Sequence, residues 1–211
     1  MTITTDALVK YNELNENSNT RVKGALFGDA SGKIKTWAIL TPENPLGKLL
    51  TPQENNKRLK SFKSTLKKLN LTYTPIEGSY GGDKEHSFIV FNLRLKDATY
   101  LASTYQQESF FYGKTKSPVG DRRDTAAEIT YYETSDGGDT YSEIETSRDI
   151  ETLNDAEDFF SRHGDFQFKI NMKIFGEGFP DIVDEDSFLE SFNESLTSRS
   201  ASVKRWHAYN G

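Results

Sequence analysis

Residues 166–174, Phe-Gln-Phe-Lys-Ile-Asn-Met-Lys-Ile, alternate apolar and polar side chains at all nine positions. Successive side chains of an extended strand point to opposite faces, so this pattern demands a half-buried strand and therefore a sheet with a packed face. A helix is marked just as plainly further upstream. Thr51 as N-cap, Pro52 at the first helical position and Glu54 three residues after the cap form a capping box. Leu59, Phe62, Leu66 and Leu69 then recur at helical spacing to about residue 69, while Lys57, Lys60, Lys63, Lys67 and Lys68 take the outer face. Asn55 falls on the inward face of the same helix, where a polar amide requires a partner.

The remaining elements follow from periodicity and turn residues. A short helix is expected over residues 5–15, and strands over 21–27 and 33–40 around the turn Gly28-Asp29-Ala30-Ser31-Gly32. Thr41-Pro42-Glu43-Asn44-Pro45-Leu46-Gly47 ends that second strand, because two prolines and a glycine cannot continue a ladder. Strands are expected at 72–76 and 87–95 with a glycine-rich link at 78–82, a helix at 97–107 and a short strand at 109–112. Beyond a loop at 114–123, residues 127–134 and 140–146 flank the turn Ser135-Asp136-Gly137-Gly138-Asp139 as a hairpin. A helix from about residue 154 to Gly164 and a last helix over 186–196 complete the pattern, with His163 placed at a helix C-terminus. The fold class is α+β: a mixed or mainly antiparallel sheet covered on one face by two helices, with an acidic C-terminal half of hairpin, strand and helices. Residues 1–123 and 124–211 form the two halves, with one continuous domain as the alternative.

Composition narrows the function. Fourteen Phe and ten Tyr supply a core to a chain of 211 residues, despite a mean hydropathy of -0.69. The absence of cysteine excludes disulfides, thiolate catalysis and Cys-ligated metal centres. The chain has no apolar run long enough to span a membrane and its first residues are polar, so a cytoplasmic protein is expected. The three histidines, His86, His163 and His207, lack metal-site spacing, and no metal or cofactor is expected. Gly28-x-x-x-Gly32-Lys33-Ile34 is one residue short of a phosphate loop and has Ile where the hydroxyl belongs. His86 between Glu85 and Ser87 suggests a nucleophile and base, but adjacent strand residues face opposite ways, which argues against a triad. The helix lysines alternate with residues that must face the core, so nucleic-acid binding is not expected.

Charge divides unevenly. Residues 1–123 carry 19 Lys+Arg against 12 Asp+Glu, a net of +7, while residues 124–211 carry 7 against 20, a net of -13. An acidic half of this kind suits a basic protein partner, with Asp136, Asp139, Glu143, Glu145, Glu151 and Asp155 as candidate contacts.

Thr41-Pro-Glu-Asn44-Pro45, Asn55, Gly78 with Gly82, Glu85-His-Ser87-Phe88 and Gln107 near Phe110 form a recurring set. With these elements residues 37–113 resemble a bacterial and phage-encoded family of unknown function, whose pattern is a Thr-x-x-Asn-Pro turn, a helix-start Asn, a Gly-rich turn, a Glu-x-Ser-Phe strand and a closing Gln. The resemblance implies no activity. It does suggest that Asn44, Asn55, Glu85, Ser87 and Gln107 converge at one sheet edge, either bracing turns or lining a ligand pocket. Three functions stay open: a non-enzymatic, phage- or mobile-element-type protein docking its acidic surface on a basic host or viral protein, a ligand-binding domain or enzyme using the polar edge, and a virion structural component. The oligomeric state is left open.

Overall fold

A computed structural model of the chain describes residues 18–29, 31–80, 83–115, 127–134, 136–144, 146–153 and 160–174. All of them fall in the first of two compact units, Met1–Ile174. The helices expected at 5–15 and 186–196 lie outside the described residues.

Residues 18–27 are helical (α1). Then follow β1 (Thr36–Leu40), a single 3-10 turn at Pro45–Gly47, α2 (Pro52–Lys68), β2 (Thr72–Tyr80), β3 (Asp83–Phe91), α3 (Leu95–Thr104) and β4 (Ser109–Lys114). The order continues through β5 (Glu128–Glu133), β6 (Ser142–Ile144), β7 (Thr146–Leu153), β8 (Phe160–His163) and β9 (Phe166–Ile174). The nine strands form one sheet in the order β6-β5-β4-β1-β3-β2-β8-β9-β7. Each pairing is antiparallel, so the α+β class holds and the sheet is antiparallel throughout rather than mixed. Cα atoms of β5 and β7 come within 8 Å of each other, so the sheet curls its two ends together. The sequence boundary expected at 123/124 falls between β4 and β5, which are paired neighbours.

Strict alternation sorts the central strands into two cores. Ala38 and Leu40 of β1, Phe88 and Val90 of β3, and Phe110 and Tyr112 of β4 pack beneath α2 (Phe62, Leu66) and α3 (Ala98, Leu101, Ala102). Trp37, Ile89 and Phe91 point the other way, into a second core with α1 (Val22, Ala25, Leu26) and β9 (Phe166, Phe168). At Trp37 the register demands a bare backbone. Gly113 lies directly opposite, and a Cβ there would stand 2.1 Å from the indole ring.

Three expectations are corrected. Residues 21–27 are not the first strand of a hairpin; Val22, Ala25 and Leu26 are all fully buried, which is the i, i+3, i+4 spacing of a helix face. This helix covers the second face of the sheet, which the sequence reading left bare. Residues 160–163 are a strand rather than the end of a helix, because Gly164 (φ 56) and Asp165 make a two-residue turn joining His163 to Phe166. His163 therefore meets no helix dipole, and its Nδ1 lies 2.8 Å from the Pro75 carbonyl.

Candidate functional site

The loop of residues 41–50 follows the end of β1 and lies against Glu85 and His86 of β3, and nearly every bond that fastens it to the rest of the fold uses a side chain. Its opening Thr41 amide donates to Gln107 Oε1 at 2.9 Å, and the Thr41 hydroxyl donates to the His86 carbonyl at 3.2 Å. Arg58, one turn after Asn55 on α2, donates through Nε to the Pro42 carbonyl and through Nη2 to the Tyr105 carbonyl, tying the loop to the end of α3. Burial holds the Arg58 guanidinium below its ordinary pKa. Leu46 closes the far side by donating its amide to the Gln106 carbonyl at 2.8 Å.

Asn44 is the centre of this arrangement. Its Oδ1 accepts from Asn55 Nδ2 at 2.9 Å and from the Leu50 amide at 3.1 Å, and its Nδ2 donates to Glu85 Oε1 at 2.7 Å. Its own amide donates to Asn55 Oδ1 at 3.2 Å. Asn44 is left-handed at φ 45, a conformation that asparagine tolerates better than most residues. The inward amide of Asn55 thus has the partner its position required, and it sits there because the Thr51–Glu54 capping box sets where α2 begins.

Three of the five sequence-expected ligand residues, Asn44, Asn55 and Glu85, are bonded to one another. Gln107 joins the same loop through Thr41. Ser87 is buried on β3, its Oγ over Gly78, and among the described residues no bond links it to Asn44, Asn55 or Gln107. The acidic candidates are dispersed. Asp136 folds back on its own turn, accepting from the amides of Asp139 and Thr140 and from the Thr134 and Thr140 hydroxyls, which hold its carboxyl well below the usual range, the Thr140 hydroxyl most of all. Asp139 and Glu143 are exposed, Glu151 lies on β7 opposite Lys169, and Glu145 and Asp155 lie outside the described residues.

Two residues to which the sequence alone assigns no role, Glu43 and Arg58, belong to the site. Glu43 is 7 % exposed and gives both oxygens to one residue: Oε2 accepts the His86 amide at 2.9 Å, and Oε1 lies 3.0 Å from His86 Nδ1. As a carboxylate, Glu43 can only accept, so in the neutral imidazole the ring proton sits on Nδ1 and the Nε2 lone pair is the free one. The His86 side chain is 72 % exposed while its partner is buried, so a fixed imidazole faces solvent. Opposite His86 on β2 stands Glu77, bonded to Lys84 at 3.3 Å and Arg162 at 2.6 Å. Arg58 was legible in principle, three residues from Asn55 on the same helix face. Glu43 was not, since nothing local announces a bond to a residue 43 positions away.

Among the described residues there is no group of three His, Asp or Glu side chains placed to hold a metal, and no helix is long and apolar enough to cross a membrane. A family model described as "Protein of unknown function (DUF3293)" matches residues 40–109, which run from the last residue of β1 to the first of β4. The match covers the whole 41–50 loop and every residue of the Asn44 network. No curated protein matches the chain.

Proposed function

We propose that the chain is a ligand-binding domain whose site is the sheet end beneath the 41–50 loop, with His86 as the group presented to the ligand. One observation carries this: a buried carboxylate holds the His86 backbone amide with one oxygen and the solvent-facing imidazole with the other. A solvated histidine gains little from such a clamp, whereas a residue that must offer Nε2 in one direction needs it. Asn44, Asn55 and Glu85 serve as the brace that keeps Glu43 in place. The orientation equally suits proton transfer to or from a bound molecule, the role an imidazole fixed by a carboxylate plays in general acid–base chemistry. The test is an NMR titration of the His86 ring nitrogens with small-molecule classes in turn: carboxylic acids, amides, phosphates and sugars. At least one class is expected to move the His86 signals saturably and to bind more weakly to Glu43→Gln. If no class moves them in the folded protein, the proposal is wrong.

A second proposal rests on charge. The +7 and -13 halves support docking of residues 124–211 on a basic host or viral protein. Capture of a basic partner should then weaken steeply with added salt. Salt-independent capture would count against it.

A further inference from the structure

We infer that Gln107 is the hydrogen-bond donor of this site and that the ligand it receives carries a carbonyl or carboxylate oxygen. The inference rests on the ligand-binding reading above and adds the chemistry of the ligand.

Gln107 is 3 % exposed, and its Oε1 is engaged by the Thr41 amide at 2.9 Å. That bond settles which way the amide points, because turning it over would set its NH2 against an N–H. Nε2 is thereby left buried with no hydrogen-bond partner among the described residues. Buried donors in folded proteins have an acceptor, whether protein, water or ligand, and one without a protein acceptor marks a place that something else fills. Ammonium groups and other pure donors cannot fill it; an acceptor oxygen can.

The surroundings are consistent with a site that opens. Gln107 is held between the 41–50 loop and the turn at 136–140: its carbonyl accepts the Tyr141 hydroxyl, and its neighbour Gln106 accepts the Leu46 amide. Left-handed backbone collects on both sides of that last bond, at Asn44 (φ 45) and Leu46 (φ 52) on the loop and at Gln106 (φ 51) facing it. Leucine has no side-chain polar group to favour this conformation locally, so the loop is closed under strain. Leu46 is also 39 % exposed, so no deep burial holds it. Release of the Leu46–Gln106 bond relaxes the backbone and admits a ligand oxygen to the Gln107 amide.

The experiment uses the full chain with 15N-labelled glutamine side chains, of which there are four. The Gln107 pair is assigned through its proximity to the Thr41 amide. Acetate, acetamide and methylammonium chloride are titrated at matched ionic strength, with the His86 ring signals followed in the same samples. Acetate or acetamide should shift the Gln107 pair saturably and methylammonium should not. Gln107→Glu, which keeps an acceptor for Thr41 while removing the NH2, should abolish binding of acetate as judged by the His86 signals. If the pair is indifferent to both oxygen-bearing probes, an internal water occupies the position and the inference is overturned. Should His86 respond to a ligand class while the Gln107 pair stays still, the inference falls but the binding site stands. If neither responds to any class, both fall.

Discussion

Replacing Asn44 with alanine removes three side-chain hydrogen bonds at once, those to Asn55, Leu50 and Glu85. Neutral bonds contribute about 0.5–1.5 kcal/mol each and a bond to a charged group about 1.5–3 kcal/mol. Asn44 and its partners are only half-buried, so water recovers part of the loss, and the expected cost is about 3 kcal/mol. For a chain of this size that corresponds to a fall in Tm of about 6–12 °C. Alanine also suffers in the left-handed conformation, by about 1 kcal/mol, whereas glycine does not. Asn44→Gly, which loses the same three bonds, should therefore be the milder variant by about that amount. Urea denaturation at equilibrium measures both. A loss below about 0.5 kcal/mol for Asn44→Ala would show that the bonds are replaced by water at no cost. A glycine variant less stable than the alanine variant would refute the role given to the backbone.

Gly113→Ala drives a methyl group into the Trp37 ring and should cost about 1–3 kcal/mol, visible in denaturation and in a changed near-ultraviolet signal from the tryptophan. Tyr141 is pushed up to about 12, by burial first and by the Asp136 charge second, so its hydroxyl favours the neutral form in the fold. A raised folded-state value means that its contribution is complete below the unfolded value of about 10 and is lost as pH rises through about 12. Ultraviolet titration should show a tyrosine ionisation step near the raised value, and Tyr141→Phe should remove that step. Asp136 is shifted the opposite way: its support of the 134–140 turn is present above the ordinary carboxylate value and should persist well into acid, being lost only as pH falls through its depressed folded value. Amide signals of Asp139 and Thr140 followed down the pH scale would report this, and loosening of the turn near the ordinary value would contradict it.

Much of the fold was legible because its signals are local. The Thr51–Glu54 box sets the start of α2, period-two alternation gives β9, and the Asp136-Gly-Gly turn gives the β5–β6 hairpin. The failures have physical reasons as well. Residues 21–27 fit both a strand and a helix period over so short a stretch, and only burial against Trp37 and Phe168 selects the helix. Gly164 serves equally as a helix stop and as the first residue of a tight hairpin turn. In the site, Asn55 advertised its need for a partner and Asn44 its turn. The pairing of Glu43 with His86 was not announced, since that bond exists only after β3 has paired with β1 and brought the 41–50 loop against β3.

The central claim is that Glu43 fixes the His86 imidazole so that Nε2 faces outward. Long-range 15N–1H correlation spectra of the histidine rings test it most directly, because the two ring nitrogens have different shifts when one bears the proton. The account predicts that neutral His86 is predominantly the Nδ1–H tautomer and that Glu43→Gln and Asn44→Ala both lose this preference. A His86 ring carrying its proton on Nε2, or averaging between the two forms in the unaltered protein, would contradict it.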